Sequence, residues 1–235
     1  MKERSFGGLT VRLTGGTDRE GGGDGPVVVL MHGFGAPGTD LVGLWRVLDV
    51  PGEVRFAFPE APNAIPGMAG ARAWWMLDLA GREAAIAKGP RSHADDVPEG
   101  MEEATDSMVA MIEELRAELS VPDSELIVGG FSQGSMVACN AVFTRAVQPA
   151  GLVILSGTPV DFASWKAGMH QRRDVRVLQS HGEQDPLLSF DAARNLCAAM
   201  RESGLEVDWV PFRGGHEIPL PVLEGLSGFI RDVLS

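Results

Sequence analysis

Residues 126–138 read LIVGGFSQGSMVA, and this stretch decides which fold the chain is expected to adopt. An apolar run comes first, a Gly-x-Ser-x-Gly motif follows, and the last residues favour a helix. Such a motif places Ser132 on a sharp turn between strand and helix, where a strained backbone projects the side chain from the sheet edge. Gly130 and Gly134 are needed because a β-carbon there would collide with the neighbouring strand or helix. Ser132 is therefore the candidate nucleophile; a glycine-rich turn that merely caps a helix is the structural alternative.

Backbone donors for an oxyanion are also encoded near this motif. The helix that begins at Gln133 directs its free N–H groups and the positive end of its dipole towards the serine. A second donor in such folds comes from the loop after an early strand. Here the apolar run at 27–31 leads into HGFG at 32–35. We therefore expect the N–H groups of Phe34 and Gln133 to form an oxyanion hole, and His32 to hydrogen-bond within its own loop.

Short apolar or β-branched runs recur along the chain and predict the strands of a sheet. Several are apolar throughout, as strands covered on both faces must be. Apolar residues three and four apart predict a helix from Met101 that halts before the break at 120–123. The alternation of strands and helices predicts an α/β fold with a mostly parallel central sheet flanked by helices on both faces. The predicted strands are 27–31, 55–58, 126–130, 151–155, 175–180 and 207–212.

Two segments interrupt this alternation. Residues 15–25, rich in glycine and aspartate, predict a turn between an N-terminal strand pair and the first buried strand. They lack the Gly-Lys-Ser/Thr ending of a phosphate-binding loop and precede a strand rather than follow one. Residues 59–100 have an irregular pattern with many prolines and glycines at their start, which predicts a substrate-side loop or cap.

Composition narrows the class of protein. A length of 235 residues with 44% hydrophobic residues fits one domain over residues 1–235. The formal net charge of −12 argues against a nucleic-acid partner, since phosphate recognition uses clustered Lys and Arg. Cys139 and Cys197 lie in apolar helical stretches and are expected to be buried free thiols, with no metal-ligand spacing around them.

The sequence shows neither a signal-peptide pattern nor an apolar run of about 18 residues, the length that a membrane helix needs. We therefore expect a cytoplasmic protein without a membrane span.

A serine hydroxyl is a poor nucleophile at neutral pH, so a base must take its proton, and in this fold the chain order is nucleophile, acid, histidine. His216 lies between the last predicted strand and a final helix, where a loop can place the imidazole over the serine; it is the candidate base. His170 lies in a polar stretch and is expected at the surface. His181 is expected at a strand end, where it shapes the following loop.

The acid must lie between the nucleophile and the base. Asp185 follows the predicted strand 175–180, on a loop at the carboxyl edge of the sheet. Its expected task is to fix the imidazole tautomer and to stabilise the imidazolium. Asp161, which follows the preceding strand, is the runner-up, and Glu183 is a weaker alternative.

With these residues in place, the chain resembles the phospholipase/carboxylesterase family of the α/β-hydrolase fold, which includes acyl-protein thioesterases and small bacterial carboxylesterases. The resemblance implies hydrolysis of esters or thioesters without a cofactor or a metal, the same three catalytic residues, the same two backbone donors, and a tendency to form homodimers. It covers nearly the whole chain, and GFSQG is its most characteristic motif. The shared motifs are HGFG at 32–35, FPEAP at 58–62, Trp74-Trp75 with Asp78, GFSQG at 130–134, HGEQDP at 181–186 and GHE at 215–217.

The chain departs from the family pattern on the substrate side. The family usually has an aspartate where this chain has Ala36, its Trp-Phe-Asp is lengthened here to end at Asp78, and residues 81–99 look expanded. Trp74 and Trp75 are the candidate substrate-pocket residues: one is expected in the core, and the other against an acyl or leaving group. These departures leave the catalytic assignment in place and affect acyl specificity.

The sequence thus predicts a serine carboxylic-ester hydrolase that acts through an acyl-enzyme on a small-molecule ester. A thioesterase or a lysophospholipase would use the same residues. A non-catalytic binding module on the same fold is the alternative of another class, since fold alone does not determine function. Such modules usually lose a catalytic residue, whereas this chain has a residue for every role.

Overall fold

The computed structural model describes residues 1–77 and 92–235. Its strands are β1 (Lys2–Phe6), β2 (Leu9–Gly16), β3 (Glu20–Gly22), β4 (Val27–Met31), β5 (Arg55–Pro59), β6 (Asn63–Ala64), β7 (Arg72–Ala73), β8 (Leu126–Phe131), β9 (Gly151–Leu155), β10 (Arg176–Gly182) and β11 (Val207–Phe212). Within the described residues, nine of them form one sheet in the order β1-β2-β5-β4-β8-β9-β10-β11, with β3 beside β2. From β5 to β11 all neighbours are parallel, whereas β2 is antiparallel to β1 and β5.

The helices that the structure describes are α1 (Met101–Leu119), α2 (Gln133–Thr144), α3 (Phe162–Met169), α4 (Phe190–Glu202) and α5 (Leu220–Val233), with short 3-10 helices at Asp40–Arg46 and Asp123–Glu125. The predicted helix from Met101 is confirmed; it ends where Ser120 adopts a left-handed conformation with φ 54°. No described helix combines the length and the apolar character that crossing a bilayer requires.

Alternating side chains divide the core of the sheet between its two faces. On β4, Val27, Val29 and Met31 join the cluster that packs under α1 to α4, while Val28 and Leu30 join the cluster under α5 and the first 3-10 helix. This arrangement follows from the period of two along a strand. Strands buried on both faces read as continuous apolar runs, which is why their positions could be predicted. The predicted sheet with helices on both faces is confirmed.

Most predicted strand bounds agree with the structure within one or two residues, and two segments differ more. Within 15–25, β2 continues to Gly16 and Glu20–Gly22 forms a further short strand, so the expected turn is confined to the residues between them. The backbones approach closely there: a β-carbon on Gly16 would lie 2.2 Å from the carbonyl oxygen of Gly22. Residues 59–100 are not irregular throughout, because β6 and β7 pair as a small antiparallel hairpin.

Helix α2 is held firmly because it is buried almost all round. Every residue from Gln133 to Phe143 is buried, including Asn140. The Asn140 amide donates to Thr105 Oγ1 at 2.9 Å and accepts from Trp165 Nε1 at 2.9 Å. This buried side chain thus links α1, α2 and α3, and its hydrogen bonds are satisfied as buried polar groups require. Cys139 on α2 and Cys197 on α4 are buried free thiols, as expected.

Candidate active site

Ser132 lies at the carboxyl end of β8, immediately before α2, with φ 53° and ψ −121°. A non-glycine residue at positive φ is strained, and the surrounding packing must impose it. A β-carbon on Gly130 would lie 2.4 Å from the carbonyl oxygen of Met31, and one on Gly134 would lie 2.3 Å from the same atom. The Ser132 N–H donates to the carbonyl of Leu155 at 2.8 Å, which ties the turn to β9. The turn therefore has the sharp, glycine-dependent geometry that the motif predicts.

The loop after β4 lies against this turn. A β-carbon on Gly33 would be 3.3 Å from Ser132 Cβ, so the two segments are in contact. The Phe34 side chain packs on the small apolar cluster of Ile65, Ala71 and Ala73. Gly33, the residue before Phe34, is therefore in contact with Ser132, and Gln133 directly follows Ser132 in the chain. The two expected oxyanion donors thus lie on segments that adjoin Ser132.

His32 supports this loop. Its Nδ1 donates to the Gly33 carbonyl at 2.9 Å, and its Nε2 accepts from the Ala61 N–H at 3.1 Å. Burial lowers the pKa of His32, which favours this neutral tautomer. The imidazole therefore has a structural role, within its own loop as predicted and also towards the segment after β5.

The Gln133 side chain makes two contacts that sequence analysis missed. Its Oε1 accepts from the Trp74 N–H at 2.9 Å, and its Nε2 donates to the Trp75 carbonyl at 2.9 Å. The sequence did contain a signal for these contacts. Any residue except proline can supply a backbone N–H at this position, so the donor role does not require glutamine, and a buried amide side chain must find partners of its own. The residue that offers an expected oxyanion donor is thereby joined to the Trp74-Trp75 segment.

Both tryptophans lie in the core cluster, with exposed fractions of 0% for Trp74 and 2% for Trp75. Trp74 Nε1 donates to the His32 carbonyl at 2.9 Å. The expected difference between a core and a pocket tryptophan is therefore not seen, because both indoles pack under the helices. A pocket role for either stays a prediction, and Asp78 lies outside the described residues.

His216 and Asp185 meet directly across the loops that follow β11 and β10. The His216 Nδ1 lies 2.6 Å from Asp185 Oδ2, and the His216 ring lies 4.7 Å from the ring of Phe131, the residue before the candidate nucleophile. The other carboxylate oxygen of Asp185 accepts from the N–H groups of Leu187 and Leu188 at 2.8 and 3.0 Å. With Nδ1 engaged by the carboxylate, Nε2 of His216 is the nitrogen left to exchange a proton.

The charge of Asp185 is maintained despite its burial. Burial raises the pKa of this carboxyl, but the hydrogen bond and charge of His216 and the backbone N–H groups of Leu188 and Leu187 outweigh it, so the pKa lies below its usual value. A carboxylate that accepts several hydrogen bonds is favoured in its ionised form. Asp185 is therefore an anion at neutral pH, in contact with the imidazole.

His181 lies at the end of β10 and is fully buried. Its Nε2 is 3.2 Å from the Leu188 carbonyl, to which it donates, and 3.4 Å from Asp185 Oδ2. Burial lowers the pKa of this imidazole. His181 thus joins the end of β10 to the loop that carries Asp185, as expected for a strand-end residue that shapes this loop.

The alternatives lie elsewhere. Asp161 starts α3 in a left-handed conformation, and its N–H donates to the Asp96 carbonyl. Glu183 and His170 are exposed. His216 is thus paired with Asp185, and neither alternative acid is its partner among the described contacts.

Comparison with known proteins places this geometry in context. The family model described as Phospholipase/Carboxylesterase matches residues 21–234. An acyl-protein thioesterase 1 from Neurospora crassa is 24% identical over an alignment of 216 residues that covers 88% of this chain and 86% of the relative. A probable carboxylesterase from Oryza sativa subsp. japonica is 28% identical over an alignment of 216 residues that covers 88% of each chain. The crystal structure of esterase PE8 matches with a TM-score of 0.79 at 24% identity, covering 96% of this chain and 99% of that one, which shows a shared fold.

Proposed function

This chain belongs to the phospholipase/carboxylesterase family and is a serine ester hydrolase of the α/β-hydrolase fold, and we propose that Ser132, Asp185 and His216 are its catalytic triad. The observation that carries the proposal is the 2.6 Å contact of His216 Nδ1 with Asp185 Oδ2. The strained turn at Ser132 supports it, because such turns hold a nucleophile clear of the sheet edge.

In the proposed acylation step, Ser132 Oγ attacks the carbonyl carbon of the ester while His216 Nε2 takes the hydroxyl proton. The negative charge that develops on the carbonyl oxygen accepts hydrogen bonds from the N–H groups of Phe34 and Gln133. Collapse of the tetrahedral intermediate breaks the bond to the leaving oxygen, which receives the proton from His216. The products are the free alcohol and an acyl-enzyme on Ser132.

Deacylation repeats these steps with water as the nucleophile. His216 takes a proton from water, the hydroxide attacks the acyl carbonyl, and the returning proton restores the Ser132 hydroxyl. Asp185 stays ionised throughout and stabilises the imidazolium that forms twice per turnover. The lowered pKa of Asp185 supports this role, because the carboxylate keeps its charge at neutral pH.

A thioester is the second candidate substrate, favoured by the similarity to a relative named acyl-protein thioesterase 1. The same residues serve, with a thiol in place of the alcohol as the leaving group. A lysophospholipid, as an ester with a long acyl chain, would follow the same steps.

Three expectations from the sequence stay predictions: one domain over residues 1–235, a cytoplasmic location and a homodimer. The net charge of −12 continues to favour a small-molecule ester over a nucleic acid as the partner.

Labelling with a fluorophosphonate, followed by mass spectrometry of the intact protein and its peptides, tests the triad. We expect a single adduct on Ser132, no adduct in Ser132→Ala, and much slower labelling in His216→Ala. Hydrolysis of 4-nitrophenyl acetate should fall by about a thousandfold or more in both variants.

Ser107→Ala is the matched control, since Ser107 is a helix-surface serine whose hydroxyl donates to the Glu103 carbonyl of its own helix. It should label and hydrolyse like the wild type. A Ser132→Ala protein with full activity would contradict the proposal. A well-folded wild type that gives no adduct would instead favour a non-catalytic binding module.

A further inference from the structure

A cavity of about 750 Å³ opens beside the loop that carries Phe34. This volume is in the range of about 300–1,000 Å³ that is typical of small-molecule sites. Residues 37–39 form part of its wall, and much of the remainder comes from residues 64–72, which connect the two strands of the small hairpin. Arg12, Glu60 and Arg72 supply its charged side chains.

The cavity lies at the edge of the sheet where ligands bind in open α/β folds. Glu60 directly follows β5, which is parallel to β4 and therefore ends at the same edge. Arg12 on β2 is paired with Phe58 near that end of β5. The cavity and Ser132 are thus both found at the carboxyl ends of the parallel strands.

Two arginine side chains form ion pairs with the same glutamate in the cavity wall. Glu60 Oε2 lies 2.9 Å from Arg12 Nη2, and Glu60 Oε1 lies 2.9 Å from Arg72 Nη2. Glu3 also approaches Arg12 Nη2 at 3.2 Å, but its side chain is 59% exposed, so its charge is screened by water. The lining therefore has a positive excess in a protein whose net charge is −12.

Guanidinium donors also remain unused. Within the described residues, Arg12 Nη1 and Arg72 Nε are buried and have no hydrogen-bond partner. A buried donor without an acceptor is costly, and a charged donor more so. The Arg72 side chain keeps 28% of its surface exposed and lines this wall, so a ligand carboxylate can approach it and add an acceptor of the kind that both arginines already hold in Glu60.

The cavity is physically connected to the loop beside Ser132. The Gly35 N–H donates to the Arg72 carbonyl at 2.8 Å, and the Arg72 N–H donates to the Ala36 carbonyl at 3.1 Å. Gly38 rests on the ion pair, since a β-carbon there would lie 2.5 Å from Arg12 Nη1 and 2.5 Å from Glu60 Oε2. The six residues from Gly33 to Gly38 are joined by five Cα–Cα steps and span at most about 18 Å, so one extended substrate can reach from Ser132 to the cavity.

The order of the strands indicates which part of an ester points towards the cavity. His216 follows β11, on one side of β8, whereas the cavity lies by β4, β5 and β2, on the other side. Because the proposed base must protonate the leaving group, the leaving group is placed on the β11 side. The acyl group is then directed towards the cavity.

Resting on the triad proposed above, we propose that Arg12 and Arg72 bind a carboxylate at the far end of the acyl group, and that the enzyme prefers half-esters of dicarboxylic acids to neutral esters of the same length. The recognised group is the terminal carboxylate. Glu60 holds the two guanidinium groups in position for it.

The test compares mono-4-nitrophenyl esters of dicarboxylic acids, with chains of about five to ten carbons, against 4-nitrophenyl esters of monocarboxylic acids of equal carbon number. The quantity measured is the ratio of kcat/KM for the anionic ester to kcat/KM for the neutral one. We expect this ratio to exceed one in the wild type at one or more chain lengths. In Arg72→Gln it should fall by about tenfold, as expected when a charged hydrogen-bond donor is lost.

Arg194→Gln is the matched control, because Arg194 is an exposed arginine on α4 that pairs with Asp191 at 3.0 Å; it should keep the wild-type ratio. Arg12→Gln provides a second variant if Arg72→Gln does not fold. A wild-type ratio at or below one at every chain length, or an unchanged ratio in a folded arginine variant, overturns the proposal. If the triad assignment itself fails, both esters persist uncleaved and Ser132 takes up no fluorophosphonate, which distinguishes the two failures.

Discussion

Gly134 lies where the Ser132 turn has no room for a side chain. A β-carbon at this position would meet the carbonyl oxygens of Met31 and His32 at 2.3 and 2.6 Å. Because both are backbone atoms, they cannot rotate away. We therefore expect Gly134→Ala to lower the free energy of unfolding by about 1–3 kcal/mol and to reduce hydrolysis of 4-nitrophenyl acetate. Urea denaturation and initial rates measure the two effects.

The same substitution at Gly228 provides the control with the opposite sign. Gly228 lies inside α5, and a β-carbon there would have nothing within 4 Å. Alanine favours a helix interior over glycine by up to about 1 kcal/mol, so Gly228→Ala should stabilise the protein. A Gly134→Ala protein as stable as Gly228→Ala would show that the turn can relax around a methyl group.

At the scale of elements, the Gln133 amide is the connection between the start of α2 and the Trp74-Trp75 segment. Gln133→Met keeps the length of the side chain but leaves the Trp74 N–H and the Trp75 carbonyl buried without this partner. We expect the free energy of unfolding to fall by about 2–6 kcal/mol, since two groups lose their partner and each unpaired group costs about 1–3 kcal/mol. The value of kcat/KM should fall as well: the Gln133 N–H is the proposed oxyanion donor, and losing these two side-chain hydrogen bonds loosens the start of α2 that positions it.

Gln171→Met makes the same chemical change at an exposed position after α3 and should leave both quantities close to wild type. Denaturation and steady-state kinetics on the two variants therefore separate the effect of losing the two hydrogen bonds to Trp74 and Trp75 from the effect of losing an amide side chain as such. A Gln133→Met protein that matches Gln171→Met in stability would mean that the Trp74-Trp75 segment is held by packing alone.

At the scale of the whole molecule, buried histidines couple the fold to pH. Burial lowers the pKa of both His32 and His181. Below the unfolded value of about 6.5, the unfolded chain binds protons that the folded chain does not, so stability is lost as the pH falls from there towards the folded pKa values. With two such groups the slope approaches about 2.7 kcal/mol per pH unit. Asp185, whose pKa is also lowered, adds a loss at more acidic pH, as the pH falls through its folded value.

Urea denaturation between pH 8 and pH 5 measures this slope. His181→Gln should reduce it by about half, because one of the two groups no longer titrates. His170→Gln replaces an exposed histidine and serves as the control. A wild-type stability that is constant across this range would show that the buried imidazoles take up protons in the folded state.

Local patterns were enough to predict the sheet and the geometry of its central turn. Apolar runs predict buried strands because both faces of the sheet exclude water, and Gly-x-Ser-x-Gly predicts the turn because only glycine fits on either side of Ser132. The order of nucleophile, acid and base along the chain then predicted the pairing of Asp185 with His216. These features depend on residues close in sequence or on the fixed order of strands, so the sequence by itself determined them.

Contacts between distant segments were decided only by the tertiary structure. Whether Trp74 and Trp75 face a pocket or the core depends on what packs over them, and the Gln133 amide reaches them from 58 or more residues away. The ion pairs around Glu60, the residue after β5, join Arg12 of β2 and Arg72 of β7. The strand order brings these residues together, and side chains that meet across a sheet edge leave no periodic signal in the sequence.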